Sequence, residues 1–380
     1  MRRTKPGRRL AKGVAAVAVL SALAAGCSST EGGGTTAAQP VKKEDLVLVL
    51  SVINLTNPYM ASMIEGGKAL SKELGVPLKI VNANGSSQTE ISQIQAILAE
   101  GKKVALVVNT VASSDAPPIV NAVKAAGGHV VIWWNKPDDF EPAKVGDHFV
   151  AFQKHGGVPS GECNGKALAE AMGGKGNILA LPGVLDSTTS QTRVAGLKSG
   201  IAKYPGVKII EERPANWDQQ LGFKETQTAL SKHGDDIDAV WAADDGMMLG
   251  AVEAVRKAGR ENEVKFASDG LYPPTIKLMQ EGFGNGAIVG ETFHRGYMAA
   301  AIGLLTAYRA ATGEIKVSEL PPEKRNSLFD IACVTAAEVD EYAKYDEDID
   351  GWIKTLMTKG PWDTAPVKLV GAGPEKMPPA

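Results

Sequence analysis

Cysteine is scarce, with three residues in 380, and none of them belongs to a Cys-x-x-Cys pair. Thiol redox chemistry and structural zinc therefore lack their usual signature. Histidine is nearly as rare: His129, His148, His155, His233 and His294 show no metal-ligand spacing. The chain also contains no Gly-x-Ser-x-Gly, no His-Glu-x-x-His and no Gly-x-x-x-x-Gly-Lys-Ser/Thr. Serine hydrolases, zinc proteases and P-loop phosphotransferases depend on the groups those motifs supply. Gly282, Gly284 and Gly286 lack the spacing of a dinucleotide fingerprint and read as a turn before a strand. Asp244 and Asp245 make a poor acid/base pair, because neighbours at a strand end point in different directions. The sequence thus predicts no enzymatic activity and no cofactor. An excess of charge is missing as well. Lysine and arginine number 41 against 43 aspartates and glutamates, so nothing marks a nucleic-acid partner.

A long hydrophobic run is also absent. The longest stretch, Val14 to Ala25, follows Arg2, Arg3, Lys5, Arg8, Arg9 and Lys12. At about 12 residues it falls short of the roughly 20 that cross a bilayer as a helix. Basic flank, short apolar segment and small residues read as a secretory signal peptide over 1–26. Leu23-Ala24-Ala25-Gly26-Cys27 resembles a bacterial lipobox, which implies lipidation of Cys27 and a membrane-anchored, extracytoplasmic location. Residues 27–44, with Gly32-Gly33-Gly34, read as a flexible tether.

What the rest of the chain has is alternation. From Leu46 onward short apolar runs alternate with amphipathic segments, the pattern of an α/β fold with parallel sheets covered by helices. Strands are expected at 46–52, 78–81, 104–108 and 130–134. The same grammar then repeats, with strands near 149–152 and at 177–181, 207–211, 239–242, 264–267 and 287–289. Two similar halves follow from this.

Ligands of open parallel sheets collect beyond the carboxyl ends of the strands. The residues there are polar and selective: Asn57 and Tyr59 after the first strand, Asn109 after the third, and Asn135 with Lys136 after the fourth. In the second half they are Trp217, Asp244, Asp269 and Glu291. Any one Asn or Asp could simply cap a helix or make a turn. Carboxylates accept hydroxyl protons, amides and guanidinium donate to hydroxyl oxygens, and aromatic faces cover C–H surfaces. Together they suit a neutral polyhydroxylated ligand.

Assembled in order, these residues resemble the ribose/galactose-type substrate-binding proteins of bacterial ABC importers, a periplasmic-binding-protein-like family. The resemblance spans Leu46 to Ile331 and rests on Asn57-Pro58-Tyr59, Asn135-Lys136, Arg193-Val194-Ala195-Gly196, Asn216-Trp217-Asp218, Asp244-Asp245-Gly246-Met247 and Ser268-Asp269-Gly270. It implies two lobes joined by three crossings near Val150, Thr292 and Ser327. Lobe 1 would comprise 45–150 and 293–326, lobe 2 would comprise 151–292 and 327–345, and 346–380 would form a tail packed on the body. Its implied ligand set is Asn57, Tyr59, Asn109, Asn135, Arg193, Trp217, Asp244, Asp269 and Glu291, with Lys136 and Met60 less securely placed. It further implies a monomer that hands a neutral sugar or acyclic polyol to an ABC permease and ATPase. Three carboxylates against Arg193 and Lys136 argue against anionic ligands. A receptor that reports ligand to a membrane signalling partner is the alternative.

Three features stand outside this scheme. Cys163 and Cys333 could form one disulfide or remain two buried thiols, the latter being the expectation. Asp346, Asp348, Asp350 and Gly351 open like a calcium loop, but Met357 occupies the position of its bidentate glutamate, so a solvated acidic turn is expected. Of Trp133 and Trp134, successive on a strand, one should face the sheet interior and the other the cleft. Trp352 and Trp362 are expected to pin the tail.

Overall fold

The computed structural model describes residues 40–378. The expected leader, the lipidation site Cys27 and the tether as far as residue 39 lie outside the described residues. Thirteen strands among the described residues form two sheets. The first sheet runs β13 (Leu369–Ala372), β11 (Asn326–Phe329), β5 (Phe149–His155), β4 (His129–Trp133), β3 (Lys103–Asn109), β1 (Leu46–Val52), β2 (Leu78–Asn82). The second runs β12 (Ala332–Val334), β10 (Ile288–Phe293), β9 (Lys265–Ala267), β8 (Ala239–Ala242), β6 (Lys175–Leu181), β7 (Gly206–Glu212). Neighbours are parallel except β13 on β11 and β12 on β10. The fold is the expected two-lobed α/β architecture.

β1 is buried along its whole length because helices cover both faces of its sheet. The helix Pro58–Leu74 then starts where Asn57 caps it by accepting the Tyr59 N–H and proline supplies the first turn. It packs tightly on the helix Gly296–Ala311. A Cβ at Gly66 would sit 2.2 Å from the Tyr297 carbonyl oxygen, and one at Gly296 2.1 Å from that of Tyr59. Only hydrogen fits at either position.

The lobe boundaries differ from the expected ones. β5 pairs with β4 and β11 in the first sheet as far as His155, so the chain leaves that lobe at Gly156 rather than near 150. β11 likewise belongs to the first sheet, which moves the third passage from 327 to between Phe329 and Ala332. The tail does more than pack. Its helix Ile349–Lys359 is followed by β13, which becomes the edge strand of the first sheet. Trp352 Nε1 donates to the Ala365 carbonyl at 2.8 Å and Trp362 Nε1 to Ser327 Oγ at 3.1 Å. Beyond β13, Glu375 accepts from the Val158 N–H at 3.0 Å and lies 2.5 Å from Lys154 Nζ.

The cysteines correct the expectation of buried thiols. Cys163, half-buried on the helix Gly157–Ala171, and Cys333, exposed on β12, form a disulfide. Pairing of β12 with β10, against which that helix packs, brings their Cα atoms within 6.0 Å. In the acidic turn Asp346 holds Arg295 at 2.7 and 2.9 Å, and Asp348 caps the following helix through the Gly351 N–H. Asp350 reaches Lys72 at 3.3 Å.

Candidate functional site

The carboxyl ends of the two sheets face each other, and helix caps do much of the joining. Asn57 Oδ1 accepts the Tyr59 N–H, while its Nδ2 donates across to Asp244 Oδ2 at 2.5 Å and to the Trp217 carbonyl at 3.1 Å. Asp244 is itself the cap of the helix Asp245–Lys257, accepting the Met247 N–H at 3.0 Å. Asn135 Oδ1 accepts Ser187 Oγ at 2.7 Å and the Thr189 N–H at 3.1 Å, at the start of the helix Thr188–Ile201. For these residues capping and bridging are the same act. Asp186 extends the seam by accepting from Ser114 Oγ at 2.5 Å, and its carbonyl takes the Ser113 N–H at 2.7 Å.

Between the seams lies a small cavity, of about 30 Å³. Tyr59, Met60, Asn109, Asn135, Arg193, Trp217 and Asp244 line it, as the sequence suggested. So do Ile53, Trp134, Thr189, Tyr272 and His294, which the expected ligand set lacks. Aromatic rings dominate the wall. Tyr59 lies edge-on to Trp134 and His294 with centroids 6.0 and 5.0 Å apart, and 5.9 Å from Tyr272. The Tyr59 hydroxyl accepts from Trp134 Nε1 at 2.8 Å. Trp134 takes the cleft side of the strand end, while Trp133 is buried in the core and stacks on Phe329. Trp134 and Trp217 both hold left-handed backbone, with φ of 73° and 62°. Such conformations cost a non-glycine residue about 1–3 kcal/mol and gather at ligand sites.

The arginine in the wall is paired. Arg193 donates through Nη1 to the Ala243 carbonyl at 2.7 Å and through Nη2 to Asp269 Oδ1 at 2.8 Å. Its guanidinium lies over Trp134 at 4.9 Å and Trp217 at 5.9 Å, a cation–π contact spanning the lobes. Burial pushes the Asp269 carboxyl upward, but Arg193, His294 and Ser160 outweigh it and hold the group at about 2. His294 is driven down by burial against the pull of Asp269, and its Nε2 donates to Asp269. Burial raises Asp244 to about 6, against the stabilising N–H groups of Met247 and Asn57. The Asn109 Oδ1, Arg193 Nε, Trp217 Nε1 and His294 Nδ1 atoms are buried without a protein partner among the described residues, leaving one amide acceptor, two donors and one imidazole nitrogen for a ligand.

Four expected ligand residues, Asn57, Lys136, Asp269 and Glu291, do not line the cavity. Lys136 turns away from the cavity: its Nζ donates to the Pro137 and Asp138 carbonyls at 3.2 and 3.4 Å and lies over Phe152. Glu291 faces Ser268 at 2.7 Å on the opposite side of β10, where burial and Asp245 push its carboxyl well above the usual range. Asn57 and Asp269 stand one layer behind the wall, tying lining residues in place. Asp244 is therefore the single carboxylate at the cavity surface among the described residues, not one of three. Strand parity could have found His294, the next residue beyond β10, in place of Glu291. Tyr272 follows Ser268-Asp269-Gly270 on the loop after β9. Nothing local distinguishes Thr189.

The family described as periplasmic binding protein domain matches residues 48–313. Among curated proteins, the xylitol-binding protein of Mycolicibacterium smegmatis is 26% identical over 320 residues, covering 79% of this chain and 81% of that protein. The ribose import binding protein of Salmonella typhimurium is 25% identical over 248 residues, covering 65% and 79%. Among solved structures, a twin-arginine translocation pathway signal protein from Burkholderia phytofirmans superposes with a TM-score of 0.80 at 28% identity, over 87% of this chain and 99% of that one. A Bacillus halodurans ABC transporter solute-binding protein with bound myo-inositol shares the fold, with a TM-score of 0.68 at 24% identity over 80% and 99%.

Proposed function

The chain belongs to the periplasmic binding protein family, and from that premise we propose that it is an extracytoplasmic receptor that captures a neutral sugar or polyol between its lobes and delivers it to an ABC importer. The observation that carries this reading is the cavity wall: aromatic faces, isolated hydrogen-bonding atoms and an arginine whose charge Asp269 already balances. A neutral ligand with hydroxyls on its edges and C–H groups on its faces meets such a wall without leaving a charge unpaired. The relatives that bind xylitol and ribose support the same class.

Capture works by population shift. The ligand contacts residues of both lobes only when these are together, and so favours that state. Asn57, Asn135 and Asp186 supply the protein's own bonds across the seam. Export by residues 1–26 and anchoring through a lipidated Cys27 belong to the same proposal, as does action as a monomer.

A thermal-shift screen with xylitol, ribose and myo-inositol tests the reading. A ligand at 100 times its dissociation constant should add about 2.7 kcal/mol of stability. Trp217→Ala should weaken any such binding roughly ten- to hundredfold through lost ring contact. Stabilisation by anionic solutes and by no neutral polyol or sugar would refute the assignment.

A further inference from the structure

We propose that Gly183 sets how long a ligand the cavity admits, by giving the Trp217 indole its seat; the ligand class is the one proposed above, and the inference rests on it. Gly183 follows β6 by two residues and is not part of the cavity wall, whereas Trp217 is. A Cβ built on Gly183 would lie 2.1 Å from Trp217 Cζ2, 2.3 Å from Cε2 and 2.5 Å from Cη2. Carbon atoms in contact stand about 3.5–4.0 Å apart. The indole therefore rests directly on the glycine, with the cavity on its other side.

The main chain of Trp217 is fixed from three directions. Asn216 and Trp217 are successive left-handed residues, with φ of 53° and 62°. The Trp217 N–H lies 3.3 Å from the Met247 sulfur, and its carbonyl accepts Asn57 Nδ2 from the opposite lobe at 3.1 Å. A side chain at 183 is then accommodated by the ring, which must move by more than an ångström toward the cavity. Nε1, buried and without a protein partner, moves with it and shortens the space left for a ligand. Gly183 is thus a positioning residue for the aromatic wall.

Linear polyols of three to six carbons, namely glycerol, erythritol, xylitol and sorbitol, measure this by calorimetric titration. Gly183→Ala should lose roughly ten- to hundredfold in affinity for the longer members and change little for glycerol. Parallel affinity profiles for wild type and Gly183→Ala overturn the proposal. Tryptophan emission of the ligand-free protein supplies a second readout. Gly183→Ala should shift it, and should leave it unaltered in a Trp217→Leu background; an unshifted spectrum overturns the proposal. The double variant should also melt above Gly183→Ala, and failure of both to fold would show that the ring is not the obstacle. A wild type that binds none of the four polyols narrows the ligand class to sugars, while the emission and melting comparisons still decide the role of Gly183.

Discussion

Glu90 carries a carboxyl into the interior of the first lobe, where it accepts Ser51 Oγ at 2.6 Å and the Val111 N–H at 3.2 Å. Burial raises it to about 8, with those two hydrogen bonds opposing the shift. A carboxyl whose folded pKa exceeds its unfolded one keeps its proton in the native state after the unfolded chain has lost it. Stability from this group is therefore present at low pH and falls as pH rises from about 4.5 to 8. Glu90→Gln, with the Ser51 hydroxyl turned to accept from the new amide, removes that titration. The variant should melt above wild type at pH 8, and the gap should close toward pH 4.5 in a pH series of thermal melts. At this scale the sequence revealed much of the site. Residue type and place after a strand picked out Tyr59, Asn109, Asn135, Trp217 and Asp244, and the family resemblance added Arg193. Strand-end position alone does not give side-chain direction, and so Lys136 and Glu291 were included while His294 and Tyr272 were not.

Element boundaries follow pairing partners rather than local composition. Phe149 to Phe152 reads as a strand from its apolar residues, and the apolar run ends before Gln153-Lys154-His155. The strand continues through these polar residues because β4 and β11 flank it. The His155 ring also finds the Asp330 carbonyl at 2.7 Å. Long-range partners of this kind leave no periodic trace in sequence, whereas the buried β1 and the capped helix after it do. The disulfide belongs to the same scale, since the edge pairing of β12 decides whether Cys163 has a partner. It closes a loop with a sequence separation of 170 residues. Replacing both cysteines by alanine should cost roughly 2–4 kcal/mol, measured by denaturant unfolding. Unfolding midpoints that coincide with and without the bridge would show that it contributes nothing.

For the whole molecule, the contacts between lobes run along two lines, the cavity seam and the segment beyond β13. Lys154 belongs to the first sheet, lies 3.5 Å from Thr192 Oγ1 of the second lobe, and is buried with Glu375 as its partner. Removing one member of a buried pair leaves the other charge uncompensated, at about 3–5 kcal/mol. Glu375→Ala should therefore lower the melting temperature by several degrees, with Glu375→Gln losing less because it can still accept from the Val158 N–H. Equal melting of all three proteins would mean that the pair does not hold the chain end. The same arrangement has a practical side. A fluorescent reporter joined shortly after Glu375 would pull on a strand and an ion pair that engage both halves, so its linkage would tug on the very motion it was meant to record. A sensor built from this protein is better tagged on the outward helices, such as Gln219–His233, with the segment after β13 left as it is.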